Sequence, residues 1–244
     1  MTRLSVIVPA RNEAGNLPSL IAEIEAALTA YAPYEIVVVD DGSTDGSPEM
    51  LAQLATAKPH LRVLRHQQSA GQSAGIHTGV SAATAPIVCM LDGDGQNPPA
   101  ELPKLVAPLF LSGNDGLGLV AGQRVGRQDT WSKKIASRLA NGIRSFLLKD
   151  GTRDTGCGLK AFRRDAYLAL PYFDHMHRYL PALFKRDGWN VALVDVSHRQ
   201  RGAGRSNYSN FQRALVGAVD LFGVMWLIHR RKKVRPAGAT QGDS

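Results

Sequence analysis

The sequence predicts an α/β fold: a mostly parallel sheet wound on both faces. Three observations carry that prediction. Short Val/Ile-rich runs recur along the first 122 residues without polar alternation. Helical patterns separate them. Each run stops at a polar, glycine-rich cluster. Continuous apolar strands alternating with helices mark a sheet covered on both sides.

In order, Leu4 to Ala10 (LSVIVPA) reads as a strand and Ala14 to Ala30 as an amphipathic helix. EIVVVDD is the second strand, and Ser47 to Ala57 the second helix. LRVLRH is the third strand, followed by a helix of small residues from about Gln72 to Ala83. PIVCMLD is the fourth, with a helix around Glu101 to Leu111. GLGLVAG is the fifth. The second half is less regular. Trp131 to Leu148 has a basic, amphipathic helical pattern. RDTGCGLKAFRRDAY reads as a turn, a strand and a helix start. His175 to Asp187 is helical, NVALVDVSHR is a strand and QRGAGRSNYSN is a loop. Phe211 to Ile228 is almost wholly apolar, and HRRKK follows it.

The 244 residues are 44% hydrophobic and 20% charged, enough for one large core. Cys89 and Cys157 have neither disulfide-framework nor zinc spacing, so buried thiols in a reducing compartment are expected. The net charge of +8 suggests nucleic acid until it is located. Residues 199–244 carry nine Lys/Arg against two Asp, and the rest of the chain is nearly neutral. A basic tail beside an apolar run fits a membrane surface better than a nucleic-acid face. Leu4 to Ala10 is too short for a signal-peptide core, so the cytoplasmic side is expected.

In open α/β sheets, ligands bind beyond the carboxyl ends of the strands. Three such ends are acidic: Pro9-Ala10-Arg11-Asn12-Glu13, Asp40-Asp41-Gly42-Ser43 and Asp92-Gly93-Asp94-Gly95-Gln96. Asp-Gly pairs also make plain turns, and Asp45 is placed to cap the second helix. Asp92 and Asp94 are harder to explain as a turn, because two such carboxylates repel without a cation. An oxygen-only set of Asp92, Asp94 and the Gln96 carbonyl suits Mg²⁺ or Mn²⁺, which completes its shell with substrate phosphates. Arg124, just past the fifth strand, and Arg201, in the Gly-rich loop, are suited to phosphate contacts.

Other patterns compete. Gly71-Gln72-Ser73-Ala74-Gly75 matches the G-x-S-x-G nucleophile elbow, with Asp195 and His198 following in hydrolase order. Four residues separate it from its strand, however, so a helix packed on the sheet is the better reading. No G-x-G-x-x-G follows the first strand, which argues against a dinucleotide site. His175 and His177 lack a strong ligand spacing.

VIVPARNEAGNLP, IVVVDDGSTDGS, SAGQSAGIHTGVSAATAPIVCMLDGDGQNPP and AGQRVGR together resemble the family 2 glycosyltransferases of GT-A fold. The branch resembled is that of dolichol-phosphate mannose synthase and the bacterial polyprenyl-phosphate glycosyltransferases. DTGCGLKAFRRDAY and HRYLPALFKRDGW look like the same branch, and the resemblance spans about residues 4 to 210. It implies that Pro9, Arg11 and Glu13 hold the nucleotide and that Asp41 recognises its base. Asp92, Asp94 and Gln96 would bind the metal and the sugar-nucleotide diphosphate. Arg124 and Arg201 would bind phosphates of donor and acceptor, and Asp154 is a candidate for orienting the acceptor. The chain departs from the family at Asn207, where a lysine is usual and Arg205 is a substitute, and at Arg11, where an aromatic is usual.

The implied reaction is inverting, metal-dependent transfer from a GDP- or UDP-sugar to a polyprenyl phosphate. A polysaccharide acceptor is the rival within the class. A serine hydrolase using Ser73 and a non-catalytic nucleotide-binding module are the rivals outside it. The expected organisation is a transferase domain over 1–210, a membrane-associated apolar and basic helix over 211–234, lying on or re-entering the bilayer, and a disordered tail over 235–244. Relatives often carry two spanning helices here, which 211–234 cannot hold. A small membrane partner or a homo-oligomer would suit such an arrangement.

Overall fold

A computed structural model describes residues 2–125, 142, 144–199 and 210–231, the stretch 210–216 by its main chain only. Seven strands form one sheet: β1 (Leu4–Ala10), β2 (Tyr34–Asp40), β3 (Leu61–Arg65), β4 (Ile87–Met90), β5 (Leu117–Arg124), β6 (Lys160–Arg163) and β7 (Asn190–Val196). Their order is β3-β2-β1-β4-β6-β5-β7. β1 pairs in parallel with β2 and β4, β2 with β3, and β5 with β7.

β6 is the exception. It lies between β4 and β5 and runs antiparallel to both. A short apolar run buried on both faces reads alike in either direction, so the reversal left no mark in the sequence. Its consequence is functional. The turn entering β6 lies at the same sheet edge as the carboxyl ends of the parallel strands.

Side-chain alternation sorts the strands onto two cores. Val6, Val8, Ile36 and Val38 face α1 (Leu17–Ala27), α2 (Ser47–Ala57) and α4 (Leu102–Phe110), through residues such as Ile21, Leu51 and Leu105. Ile7, Val37, Val39 and Val88 face α3 (Gln72–Ala82), α5 (Arg164–Leu168) and α6 (Leu180–Arg186). The small residues of α3 let it lie close on the sheet. A Cβ at Gly79 would come within 2.5 Å of Ile7, and one at Gly75 within 3.1 Å of Pro9. Both cysteines are buried and free, as expected.

The final helix, α7 (Asn210–His229), rests on the second core through Val224 and Met225. Arg186 Nε donates to Leu227 O at 2.9 Å, and Tyr179 Oη to Gly217 O at 3.1 Å. Among the described residues no helix is long and apolar enough to cross a membrane. Of the expected Trp131–Leu148 helix, 144–148 is helical, whereas 131–141 lies outside the described residues, as do the 232–234 end of the expected membrane helix and the 235–244 tail.

Candidate active site

The loops after β1 and β2 are knitted together. Asn12, at φ 56°, accepts the Thr44 N–H at 2.8 Å, and its own N–H donates to Ser43 Oγ at 2.9 Å. The Glu13 N–H donates to Ser47 Oγ at 3.1 Å, and Asn16 Nδ2 donates to the Glu13 carboxylate at 2.6 Å. Arg11 is exposed at the rim. Pro9 is buried at the end of β1. The N-cap of the second helix is Gly46, not Asp45 as expected; Asp45, one residue earlier, accepts the Ser47 N–H at 3.0 Å.

In the structure Asp41 is engaged by the chain itself. Oδ1 takes His66 Nδ1 at 2.7 Å and Ala70 N–H at 2.8 Å; Oδ2 takes Ser69 Oγ at 2.7 Å and Gly71 N–H at 3.0 Å. A carboxylate has about four acceptor sites, and all are filled. Burial alone would raise this carboxyl, but the bonds from Ala70, His66, Ser69 and Gly71 hold it below the usual range. Gly42 (φ +67°) completes the arrangement: a Cβ there would lie 2.7 Å from Ser69 N. The Asp-Gly pair therefore pins the loop 66–71 that starts α3.

That loop leads to the acidic pair. Gln72 Nε2 donates to Asp92 Oδ1 at 2.6 Å, and Asn97 Nδ2 to Oδ2 at 3.2 Å. The Gly93 N–H reaches Pro9 O at 3.3 Å, and a Cβ on Gly93 would lie 2.9 Å from Ala10 Cβ. Across the site, Gly158 in the turn before β6 faces Asp92 so closely that a Cβ would overlap the carboxylate. Asp94 Oδ1 accepts the Gln96 N–H at 3.1 Å, and Gln96 O accepts the Arg199 N–H at 3.1 Å.

Arg124 and Asp154 meet each other. Nε reaches Oδ2 at 2.5 Å and Nη2 reaches Oδ1 at 2.9 Å, a bidentate pair largely shielded from solvent. Buried Gln123 accepts the Arg153 and Asp154 N–H groups, at 2.8 and 3.0 Å, and so fixes the turn. Burial pushes Asp154 up, but Arg124 outweighs it and holds the carboxyl below its ordinary value. It is ionised at neutral pH and a weak proton acceptor.

Lys160 carries no signal in the sequence. It begins β6, is fully buried and donates to Cys157 O. Burial lowers its ammonium, opposed by the charges of Cys157, Asp92 and Asp154. Asp92 is pushed up to about 6 by burial and then by the Asp94 charge, against the pull of Lys160, Arg124 and Asn97. Part-buried carboxylates, a buried ammonium and a part-buried guanidinium thus share one wall.

The hydrolase reading fails on geometry. Ser73 is 0% exposed inside the first turn of α3, and its Oγ lies 2.7 Å from Nδ1 of buried His177, not His198. Burial, then the Lys160 charge, holds His177 well below its normal value. Asp195 pairs instead with Arg153. No substrate can reach Ser73. Arg201, Arg205 and Asn207 lie outside the described residues.

Among the described residues no cluster of three or more His, Cys, Asp or Glu could hold a metal. The donor set still fits a hard cation. Each Asp92 oxygen accepts a side-chain amide, and a carboxylate oxygen has two lone pairs. Gly158, beside Asp92, adds no side chain. Asp92 and Asp94 could hold Mg²⁺ or Mn²⁺ with a diphosphate completing the shell.

Fold and site together are those of a glycosyltransferase. The chain belongs to glycosyl transferase family 2, whose model matches residues 5–170. It is 35% identical over 221 residues to the undecaprenyl-phosphate 4-deoxy-4-formamido-L-arabinose transferase of Enterobacter sp. (strain 638), covering 90% of this chain and 66% of that one. Among solved structures it is similar to glucosyl-3-phosphoglycerate synthase from Mycobacterium tuberculosis in complex with Mn²⁺, UDP-glucose and glycerol 3-phosphate, with TM-score 0.67 and 21% identity over 93% of this chain and 80% of that one. It is also similar to mannosyl-3-phosphoglycerate synthase from Rubrobacter xylanophilus, with TM-score 0.69 and 16% identity over 97% and 78%. At these identities the structural likeness speaks for the fold.

Proposed function

We propose that this protein transfers a sugar from a nucleoside diphosphate sugar to a polyprenyl phosphate at the cytoplasmic face of a membrane, with Mg²⁺ or Mn²⁺. The observation that carries the reading is the turn 154–158, in which Gly156 lies against the Arg124–Asp154 pair and Gly158 against Asp92, so that the guanidinium and the acidic loop act on one another. The lipid acceptor rests on the Enterobacter relative named above. Asp92, Asp94 and the Gln96 carbonyl would hold the cation, which would supply Lewis-acid neutralisation of charge on the diphosphate. The chain's own part is positioning. A phosphomonoester has a second pKa near about 6, so the acceptor arrives ionised and needs no strong base. Asp154, already ionised and locked to Arg124, orients that guanidinium for a phosphate. Arg201 is proposed for a second phosphate contact.

Asp154→Asn should cut kcat by about tenfold to a hundredfold through a misaligned Arg124, leaving acceptor KM within about threefold. Total loss with intact acceptor binding would instead show a base. The raised Asp92 gives a pH prediction. Metal-free folded protein takes up a proton there as pH falls through about 6, whereas the unfolded chain does so only near about 4. This group's contribution to stability therefore declines as pH rises from about 4 to 6, and a bound cation offsets the loss. Proton and cation compete, so half-saturating Mn²⁺ should rise toward tenfold per unit below about pH 6. A Mn²⁺ titration at about pH 5 and pH 7.5 giving equal half-saturation would contradict this.

The helix α7 supports the lipid side of the reading. Asp220 turns inward and pairs with His175 at 3.3 Å. Val219, Phe222 and Trp226, spaced to share one face, turn outward at 65%, 69% and 61% exposure. The exposed face is thus apolar and followed by Arg230 and Arg231, which suits a helix lying on anionic lipid. Phe222→Ser/Trp226→Ser should reduce co-sedimentation with anionic vesicles several-fold without lowering the melting temperature. Undiminished binding would remove α7 as the anchor.

A further inference from the structure

The segment leaving β7 is fastened to the acidic loop by one residue that neither the family motifs nor the charge pattern singled out. Arg199 Nε donates to Gly95 O, and the Arg199 main-chain N–H donates to Gln96 O at 3.1 Å. The guanidinium ends meet the Glu23 carboxylate of α1 in a fork, Nη1 to Oε2 at 3.0 Å and Nη2 to Oε1 at 3.1 Å. Two residues earlier, Ser197 Oγ donates to Glu101 at 2.7 Å and the Ser197 N–H to the same oxygen at 3.3 Å. We infer that Arg199, braced by Glu23, is a positioning residue that fixes the 94–96 loop and so sets its affinity for the metal and the donor diphosphate.

The physical case rests on what the contact cannot otherwise do. Arg199 and Glu23 have side chains 42% and 40% exposed, and pairs so exposed contribute little to global stability. Yet the arginine aims its chain-end donors at Glu23 and its Nε and main-chain N–H at successive carbonyls of one loop. That loop needs holding. The stretch from Asp92 to Gln96 contains two glycines, Gly93 and Gly95, the latter at φ +70°, and it belongs to no helix or strand. Gln72 and Asn97 hold its start, at Asp92; Arg199 holds its end, beside Asp94. A carboxylate pair ordered in advance binds a cation without the conformational cost of ordering it then. Lysine could keep the charge but not the fork and the Nε bond together.

The inference rests on the donor-site reading above, so the experiment must separate the two. Full-length wild type, Arg199→Gln and Glu23→Gln are titrated with Mn²⁺ in the presence of UDP or GDP, whichever raises the wild-type melting temperature, with Mn²⁺ binding read by electron paramagnetic resonance. Transfer kinetics are measured alongside. Arg199→Gln should raise half-saturating Mn²⁺ and donor KM about tenfold, with kcat at saturating metal within about threefold. Glu23→Gln should shift the same quantities about twofold to fourfold, and it tests the brace even if the first variant is unstable. Variants matching wild type in Mn²⁺ half-saturation and donor KM overturn the role of Arg199. A fall in kcat or melting temperature alone overturns it too. Wild type that binds no Mn²⁺ with either nucleotide overturns the donor-site reading itself.

Discussion

Asp94→Ala is expected to cut metal-dependent sugar transfer to near background, a loss of about a hundredfold to a thousandfold in kcat, while the protein keeps its circular dichroism spectrum and its melting temperature within a few degrees. Asp94 sits on a loop at the site rim, half-buried, with its Oδ1 on the Gln96 N–H. It carries no core packing, so its removal costs little stability. Its chemistry is another matter. Charge developing on a departing diphosphate must be met by fixed charges, and losing one such group costs about 3–4 kcal/mol in the transition state. EDTA on the wild type should reproduce the loss. Retained activity in either case would remove the metal from the mechanism.

Lys160→Met is expected to have the largest effect on stability. The ammonium is fully buried, donates to Cys157 O and feels the charges of Asp92 and Asp154. Removing one partner from a buried charge cluster leaves the others uncompensated, at a cost of about 3–5 kcal/mol. Urea unfolding at neutral pH should show that loss as a lower midpoint with an unchanged slope. The double variant Lys160→Met/Asp92→Asn should recover part of it, because the orphaned charge is gone. An unchanged midpoint for the single variant would mean that Asp92 is neutral in the metal-free protein. Activity should fall too, since Asp92 loses a cation that resists its protonation.

These two residues also mark what the sequence could disclose. Strand limits such as Leu4–Ala10 were legible because an uninterrupted Val/Ile run ending in Pro-Ala-Arg-Asn has one reading. Asp92 and Asp94 stood out as candidates because like charges at that spacing need a reason. Lys160 was not, because a lysine in KAFRR looks like any solvated cation until β6 is seen to run backwards between β4 and β5. Gln72 was hidden inside a motif that imitates a nucleophile elbow. Asp41 was assigned a ligand by resemblance, yet its four partners lie 25 to 30 residues away in a loop with no obvious signal. Arg199 reaches Glu23 across 176 positions. Local pattern reveals elements and strand-end chemistry; pairings made by the fold emerge only with the fold.

The helix α7 gives the converse case. Its apolar run and single Asp220 were plain in the sequence, and an aspartate in such a run looks like a flaw in a membrane segment. In the structure Asp220 is turned to His175, and the apolar residues are what remains outside. One inward charge thus orients the helix.

The most direct test of the central proposal is transfer itself. Full-length protein is incubated with undecaprenyl phosphate in vesicles, Mn²⁺ and a panel of radiolabelled UDP- and GDP-sugars, and the lipid fraction is counted. The expected result is label in the lipid with one donor, lost with EDTA and lost in Asp94→Ala. Donor consumed with no label in the lipid, or equal labelling when the lipid lacks its phosphate, would contradict the assignment.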